Sequence, residues 1–223
     1  TATVIFPSIP QLCVGDSAIN LNLYPSGGTL TGSGLIGVNN GFFNPTQNLI
    51  GSYNLTYSIS NTLTGCSDSK TQSIVVNDTP VLSVVSSNVS TCLGNDGSVD
   101  VSVTGGSNPI NYAWNNGQTT QDLNNITAGN YSLIATDING CQDTISTSIT
   151  QPSPPTIIFS KSNVSCFGFN DGSIDVTVFG GQSPYSYSWS NGATSEDLNN
   201  LSAGFYYLTV TDSNNCVVSQ GVV

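Results

Sequence analysis

Residues 87–141 read SNVSTCLGNDGSVDVSVTGGSNPINYAWNNGQTTQDLNNITAGNYSLIATDINGC, and residues 162–216 read SNVSCFGFNDGSIDVTVFGGQSPYSYSWSNGATSEDLNNLSAGFYYLTVTDSNNC. The two stretches align at an offset of 75 almost throughout, pairing Asp96 with Asp171, Gly105-Gly106 with Gly180-Gly181, Trp114 with Trp189 and Tyr131 with Tyr206. The one slip is at the first cysteine, where Cys92 and Cys166 lie 74 apart. Self-similarity at a fixed period marks an array of equivalent structural units. The first 79 residues lack this motif set but share its frame, with Cys13 near the start and Gly65-Cys66 near the end. The chain therefore reads as three modules: 1–79, 80–154 and 155–223, the last cut short of the Ile-Thr-Gln-Pro that ends its predecessor. Proline-bearing stretches at Asp78-Thr79-Pro80 and Gln151-Pro-Ser-Pro-Pro155 form the boundaries. Such linkers are semi-rigid, which predicts an extended array.

Composition points to β structure. Of 223 residues, 23 are Gly and 10 Pro, and the polarity is carried mainly by Asn, Ser, Thr and Gln. These residues favour turns between strands. Good helix formers such as Glu, Lys, Arg and Met are nearly missing. In the second module Ser98–Val103 alternates, placing Val99, Val101 and Val103 on one face. Asn111–Asn115 follows, then Asn116-Gly117, a hairpin signal. Strands from Tyr131 to Thr136 and from Cys141 to Ile149 complete a count of six or seven. The third module repeats the pattern, with Asn191-Gly192 and a strand from Tyr206 to Thr211. The predicted fold is all-β: a tandem array of three small Ig-like β-sandwich modules with one disulfide each.

Charge excludes several functions. There are 2 Lys+Arg against 13 Asp+Glu, and no His, for a net charge of −11. Phosphate backbones and anionic membrane surfaces need cationic patches that this chain lacks. No apolar run is long enough for membrane insertion, and no signal peptide is evident, so the chain reads as a mature fragment. Without His there is no Ser-His-Asp triad. Glu196-Asp197 is the only adjacent pair of acids, and neighbouring strand residues face opposite ways. The chain is read as no enzyme.

The six cysteines fall two per module, 53, 49 and 50 positions apart. A 75-residue module buries a marginal core, so a staple in each is expected. The expected pairs are Cys13–Cys66, Cys92–Cys141 and Cys166–Cys216, tying the sheet edge at a module end. Even cysteine counts imply an oxidising, extracellular compartment. Other candidate sites are less direct. Tyr112 and Trp114, and Tyr187 and Trp189, could form aromatic platforms for sugars, against the plainer reading as core. Asp96 and Asp100, with Asp171 and Asp175, could ligate Ca²⁺, against the plainer reading as Asp-Gly turns followed by outward-facing acids. Asp137 and Asp212 could add ligands only if the fold brings them near. No other cofactor is expected. Tyr131 and Tyr206, each following Ala-Gly-x at a strand start, look like tyrosine corners.

The pattern C-x-G-x-x-D-G-S-I-x-V, G-G-x-x-P-Y-x-Y-x-W-x-N-G and D-L-x-x-L-x-A-G-x-Y-x-x-x-V-x-D-x-x-x-C closely resembles the SprB repeat. Cys166 to Cys216 carry it, and Cys92 to Cys141 carry it with Asn108-Pro-Ile in place of Ser-Pro-Tyr. The first module resembles the Ig-like or PKD-like modules of Bacteroidota surface proteins. The resemblance implies a long, secreted, filamentous adhesin at the cell surface, exported by type IX secretion and in some members serving gliding motility. It also implies O-glycans at Asp-Ser/Thr sites, here Ser17 and Thr144. Expected partners are neighbouring modules of the same chain, surface glycans or like subunits. A carbohydrate-binding module and a self-assembling filament or sheath subunit are the alternatives.

Overall fold

The computed structural model describes residues 3–32, 38, 39, 41–45 and 50–223. The first module contains β1 (Leu12–Cys13), β2 (Ile19–Asn20), β3 (Thr29–Gly32), β4 (Val38–Asn39), β5 (Phe42–Phe43), β6 (Gly51–Ser60) and β7 (Ser67–Asn77). They form one sheet in the order β1-β7-β6-β3 and a second in the order β2-β5-β4. Strands β6 and β7 pair antiparallel over their length, whereas β1 joins β7 in parallel, Cys13 opposite Asn77. Phe6, Leu21, Phe43, Leu55, Ile74 and Val76 are buried in its core.

The second module contains β8 (Val81–Ser87), β9 (Gly97–Thr104), β10 (Asn111–Trp114), β11 (Leu123–Ile126), β12 (Gly129–Thr136) and β13 (Gln142–Ile149). The third contains β14 (Thr156–Ser162), β15 (Gly172–Phe179), β16 (Ser186–Trp189), β17 (Leu198–Leu201), β18 (Tyr206–Thr211) and β19 (Val217–Val222). Their sheets correspond strand for strand: β11-β9-β8 with β10-β12-β13, and β14-β15-β17 with β16-β18-β19. In immunoglobulin lettering this is A, B and E in one sheet and C, F and G in the other, the constant-type arrangement without strand D.

In the third module Ile157, Ile174, Val176, Leu198 and Leu201 from one sheet meet Trp189, Leu208 and Val210 from the other in a single buried cluster. The alternation read from the sequence produces this directly, since every second residue of β15 faces inward. In β9, Val99 and Val101 are buried and Val103 is half-buried. Both tyrosine corners form: the Tyr131 hydroxyl donates to the Thr127 carbonyl at 2.9 Å and Tyr206 to that of Ser202 at 3.0 Å.

One expectation is corrected. Asn116-Gly117 is a turn but does not join paired strands. The Trp114 amide donates to the Gln118 carbonyl, and the chain then leaves the sheet of β10 for β11 in the other sheet. Asn-Gly here begins a crossover, as does Asn191-Gly192 between β16 and β17. The turn preference is local, whereas the partner of the next strand is set by which face its apolar residues must cover.

By compactness the chain divides into two units. One is Thr1–Ser83 with Val101–Gln121 and Ser132–Ile145, and the other is Val84–Asp100 with Asp122–Tyr131 and Ser146–Val223. The division runs through the middle repeat rather than between the modules read from the sequence.

Trp189→Ala should destabilise the protein by about 3–5 kcal/mol, because a large buried ring leaves a cavity. Tyr206→Phe should cost about 1 kcal/mol for the lost hydrogen bond. Phe167→Ala, at a fully exposed ring, should stay within about 0.5 kcal/mol of wild type. Urea denaturation measures all three.

Candidate functional site

The cysteines pair across modules, not within them. Cys13 bonds Cys141 with Cα atoms 5.5 Å apart, and Cys92 bonds Cys216 with Cα atoms 4.9 Å apart. Cys66 and Cys166 are free and exposed. The expected pairs Cys13–Cys66, Cys92–Cys141 and Cys166–Cys216 are therefore corrected. The reason is strand length. Cys13 lies opposite Asn77 at the end of β7, while Cys66 immediately precedes Ser67 at its start. An eleven-residue strand extends about 35 Å at roughly 3.3 Å per residue, and a disulfide needs Cα atoms within about 7 Å. In the third module Cys216 precedes β19 and Cys166 precedes β15, so the two cysteines sit at opposite ends of the sandwich. Each observed bond instead links the first cysteine of one module to the cysteine before the last strand of the next. Each lies inside a single compact unit.

The joint has two halves. One is an acid-nucleated turn at the start of the last strand. Asp212 is buried; its Oδ1 accepts the amides of Asn214 and Cys216 at 2.9 and 2.8 Å, and its Oδ2 accepts that of Gln182 at 2.9 Å. Burial pushes its carboxyl up, but these three amides outweigh it and hold the group below its ordinary value. Asp137 repeats the arrangement with Asn139, Cys141 and Ser107. The sequence reading held these two acids only as conditional calcium ligands. The signal that would have found their role is Asp-x-x-x-Cys recurring at the repeat offset. The Gly-Gly motif belongs to the same end. Gly181 has φ +65°, and a Cβ there would lie 2.9 Å from Asp212 Oδ2 and 3.1 Å from Pro155. Gly106, at φ +67°, meets Pro80 in the same way. The glycines seat the linker proline against the module.

The other half is the loop bearing the first cysteine. Asp96 Oδ1 accepts the Ser90 amide at 3.0 Å, and Asp171 Oδ1 accepts that of Ser165 at 3.0 Å. The Ser90 and Ser165 side chains also bond these carboxylates, and together with the amides hold both below the ordinary range. The Cys92 amide donates to the Asn214 carbonyl at 3.0 Å, a backbone bond beside the disulfide. The calcium reading of Asp96, Asp100, Asp171 and Asp175 gains no cluster. Asp96 and Asp171 cap their own loops, and Asp100 and Asp175 are exposed on strands. Among the described residues no group of three or more His, Cys, Asp or Glu is placed to hold a metal ion.

Trp114 and Trp189 are buried, their indole N–H groups donating to the carbonyls of Thr120 at 2.8 Å and Ser195 at 3.0 Å. They are not available as stacking platforms, which corrects that reading; Tyr112 and Tyr187 beside them are half-buried. Burial and a hydrogen bond to Glu196 push the Tyr187 hydroxyl up to about 12. Asp197 Oδ1 accepts the Val176 amide at 2.9 Å. Both acids of the Glu196-Asp197 pair are thus engaged structurally. Ser17 and Thr144 are exposed, each following an Asp that accepts a backbone amide: Asp16 from Cys13 at 2.7 Å and Asp143 from Leu82 at 2.8 Å. No helix among the described residues is long and apolar enough to cross a membrane.

Fold and joints together define a tandem array of Ig-like modules stapled module to module. Residues 83–119 and 158–194, about a third of the chain, match the family model of the SprB repeat. No curated protein matches it in sequence. Among solved structures, the N-terminal eight Ig domains of Down Syndrome Cell Adhesion Molecule align at 13% identity and TM-score 0.49, over 98% of this chain and 36% of that one. The chain thus spans about a third of that structure's length. A three-Ig segment of titin aligns at 13% identity and TM-score 0.35, over 99% and 97% of the two chains. Three N-terminal domains of the bacteriophage RB49 Highly Immunogenic Outer Capsid protein align at 15% identity and TM-score 0.32, over 99% and 97%.

Non-reducing peptide mapping should recover Cys13–Cys141 and Cys92–Cys216 peptides, and reductant should lower the melting temperature. Within-module pairs would contradict the structure. Because Asp96, Asp171 and Asp212 are held below 3.8, their carboxylate forms favour the fold. That contribution is present above pH 3.8 and is lost as pH falls through the lower folded-state values. Thermal melts should be level from pH 7 to about 5 and fall below about pH 4. The triple Asp→Asn variant should start lower and fall less.

Proposed function

We propose that this chain is a non-catalytic structural and adhesive segment of a large, secreted, filamentous cell-surface protein. The observation that carries the reading is the one-module offset of the disulfides. A bond from each module to the next transmits tension covalently past the linker, which is useful in a spacer and has no role in catalysis. Disulfides form and persist in oxidising compartments, which favours an extracellular site. The SprB repeats support a role in a Bacteroidota surface adhesin, with type IX export and, in some members, gliding. The partners proposed are neighbouring modules, surface glycans and like subunits. The exposed Ser17 and Thr144 are the proposed O-glycan sites.

Antibodies against the folded chain should label intact cells that make it, and brief external proteolysis should remove the signal. Labelling only after permeabilisation would overturn the surface assignment.

A further inference from the structure

The two repeats share their buried residues but differ on one outer face. At the repeat offset, Asn130, Ser132 and Ser146 of the second module correspond to Phe205, Tyr207 and Gly221 of the third. Two polar positions become aromatic, and a third loses its side chain. Phe205 and Tyr207 are 63% and 44% exposed, so both rings lie on the surface of the sandwich rather than in its core.

The three changes fit one another. Tyr207 is the second residue of β18 and pairs with Gly221 of β19, and Phe205 immediately precedes β18. A Cβ at Gly221 would lie 2.9 Å from Phe205 Cε2, so the phenyl ring lies across the glycine and a larger residue there would displace it. The backbone at Tyr207 is held from the neighbouring chain segment: its amide donates to the Ser190 hydroxyl oxygen at 3.1 Å, and its carbonyl accepts the Ser190 amide at 2.9 Å. Alternate residues of a strand share a face about 7 Å apart, which places Thr209 beside Tyr207. Thr209 stands where the second module has Ile134, and its hydroxyl lies 2.9 Å from that of Ser219 on β19. By register, Ser186, Ser188, Thr209, Thr211, Val217 and Ser219 share this face. None of them is charged, on a chain of net charge −11. Lys161 reaches the end of β19 from the other sheet, where its ammonium donates to the Val223 carbonyl.

We propose that Phe205 and Tyr207 form a platform that binds an uncharged hexopyranose glycan. The C–H face of a sugar ring stacks on the two aromatic rings, and its hydroxyls bond to those of Thr209 and Ser219. The chemistry of the face selects this ligand. Exposed rings beside a hydroxyl pair suit a molecule that is apolar on one aspect and hydrogen-bonding on the other. A face without charge gives an ionic ligand no counter-charge. Two rings are also far less than the roughly 800 Å² that a stable protein partner covers on each side. The site is carried on paired strands, so little ordering is needed on binding. The inference rests on reading the chain as an adhesive segment and assigns the glycan contact to the third module rather than the second.

The test is affinity electrophoresis of the whole chain in native gels. Hydroxyethyl cellulose, galactomannan and dextran serve as uncharged probes, and alginate as an anionic one. Wild type should be retarded in at least one neutral gel and not in alginate. The comparison variant combines Phe205→Asn, Tyr207→Ser and Gly221→Ser. The second module already carries these residues at the same places, so the fold accommodates them, and a matching melting curve checks this. Its binding should be weaker by about tenfold or more. Gly221→Ser alone, which displaces Phe205 and leaves Tyr207, should weaken binding less than the triple variant. Wild type unretarded in all three neutral gels, equal retardation of the triple variant, or retardation in alginate alone would overturn the platform. An unretarded chain that still labels intact cells would sink this site and leave the surface reading standing.

Discussion

The disulfide from each module to the next is the constraint on which the array rests. A module of about 75 residues buries little apolar surface, and its core centres on one tryptophan and a handful of aliphatic residues. Within-module staples would address that shortage, and in chain-entropy terms would serve nearly as well. Closing a loop of about 50 residues contributes about 4 kcal/mol, and closing one of 128 or 124 about 5. Entropy does not choose between the pairings. The strands do: they set the two cysteines of a module at opposite ends of the sandwich, farther apart than any disulfide reaches.

Once the cysteines face neighbouring modules, the repeat's other motifs find a purpose at the joint. Asp137 and Asp212 shape the turn that presents one cysteine, and Asp96 and Asp171 fix the loop that presents its partner. The paired glycines let linker prolines pack where a Cβ would collide. The tryptophan and the corner tyrosine keep the sandwich rigid between the two ends. Asp197 and Asp212, like Asp96, Asp137 and Asp171, accept backbone amides and so serve the fold.

The resulting picture is a series of modules, each linked covalently to the next. Side chains that looked like ligand platforms serve the interior instead. Among the described residues the exterior includes loops, exposed threonines and serines, and the thiols of Cys66 and Cys166.

The sequence alone determined the strand pattern and the tandem repeat, because alternation of apolar residues and a fixed offset are local or periodic properties. It placed the inward valines of β9, the core tryptophans and the tyrosine corners to within a residue or two. It also identified the residues of both joint halves without revealing their partners. Tertiary structure alone decided which cysteine meets which, because pairing depends on where strand ends fall in space and not on spacing along the chain. The same holds for the Asn-Gly turns, whose local geometry was legible while the sheet they led to was not. A turn is set by the φ preferences of two residues, and a strand's partner by the face that has to be buried.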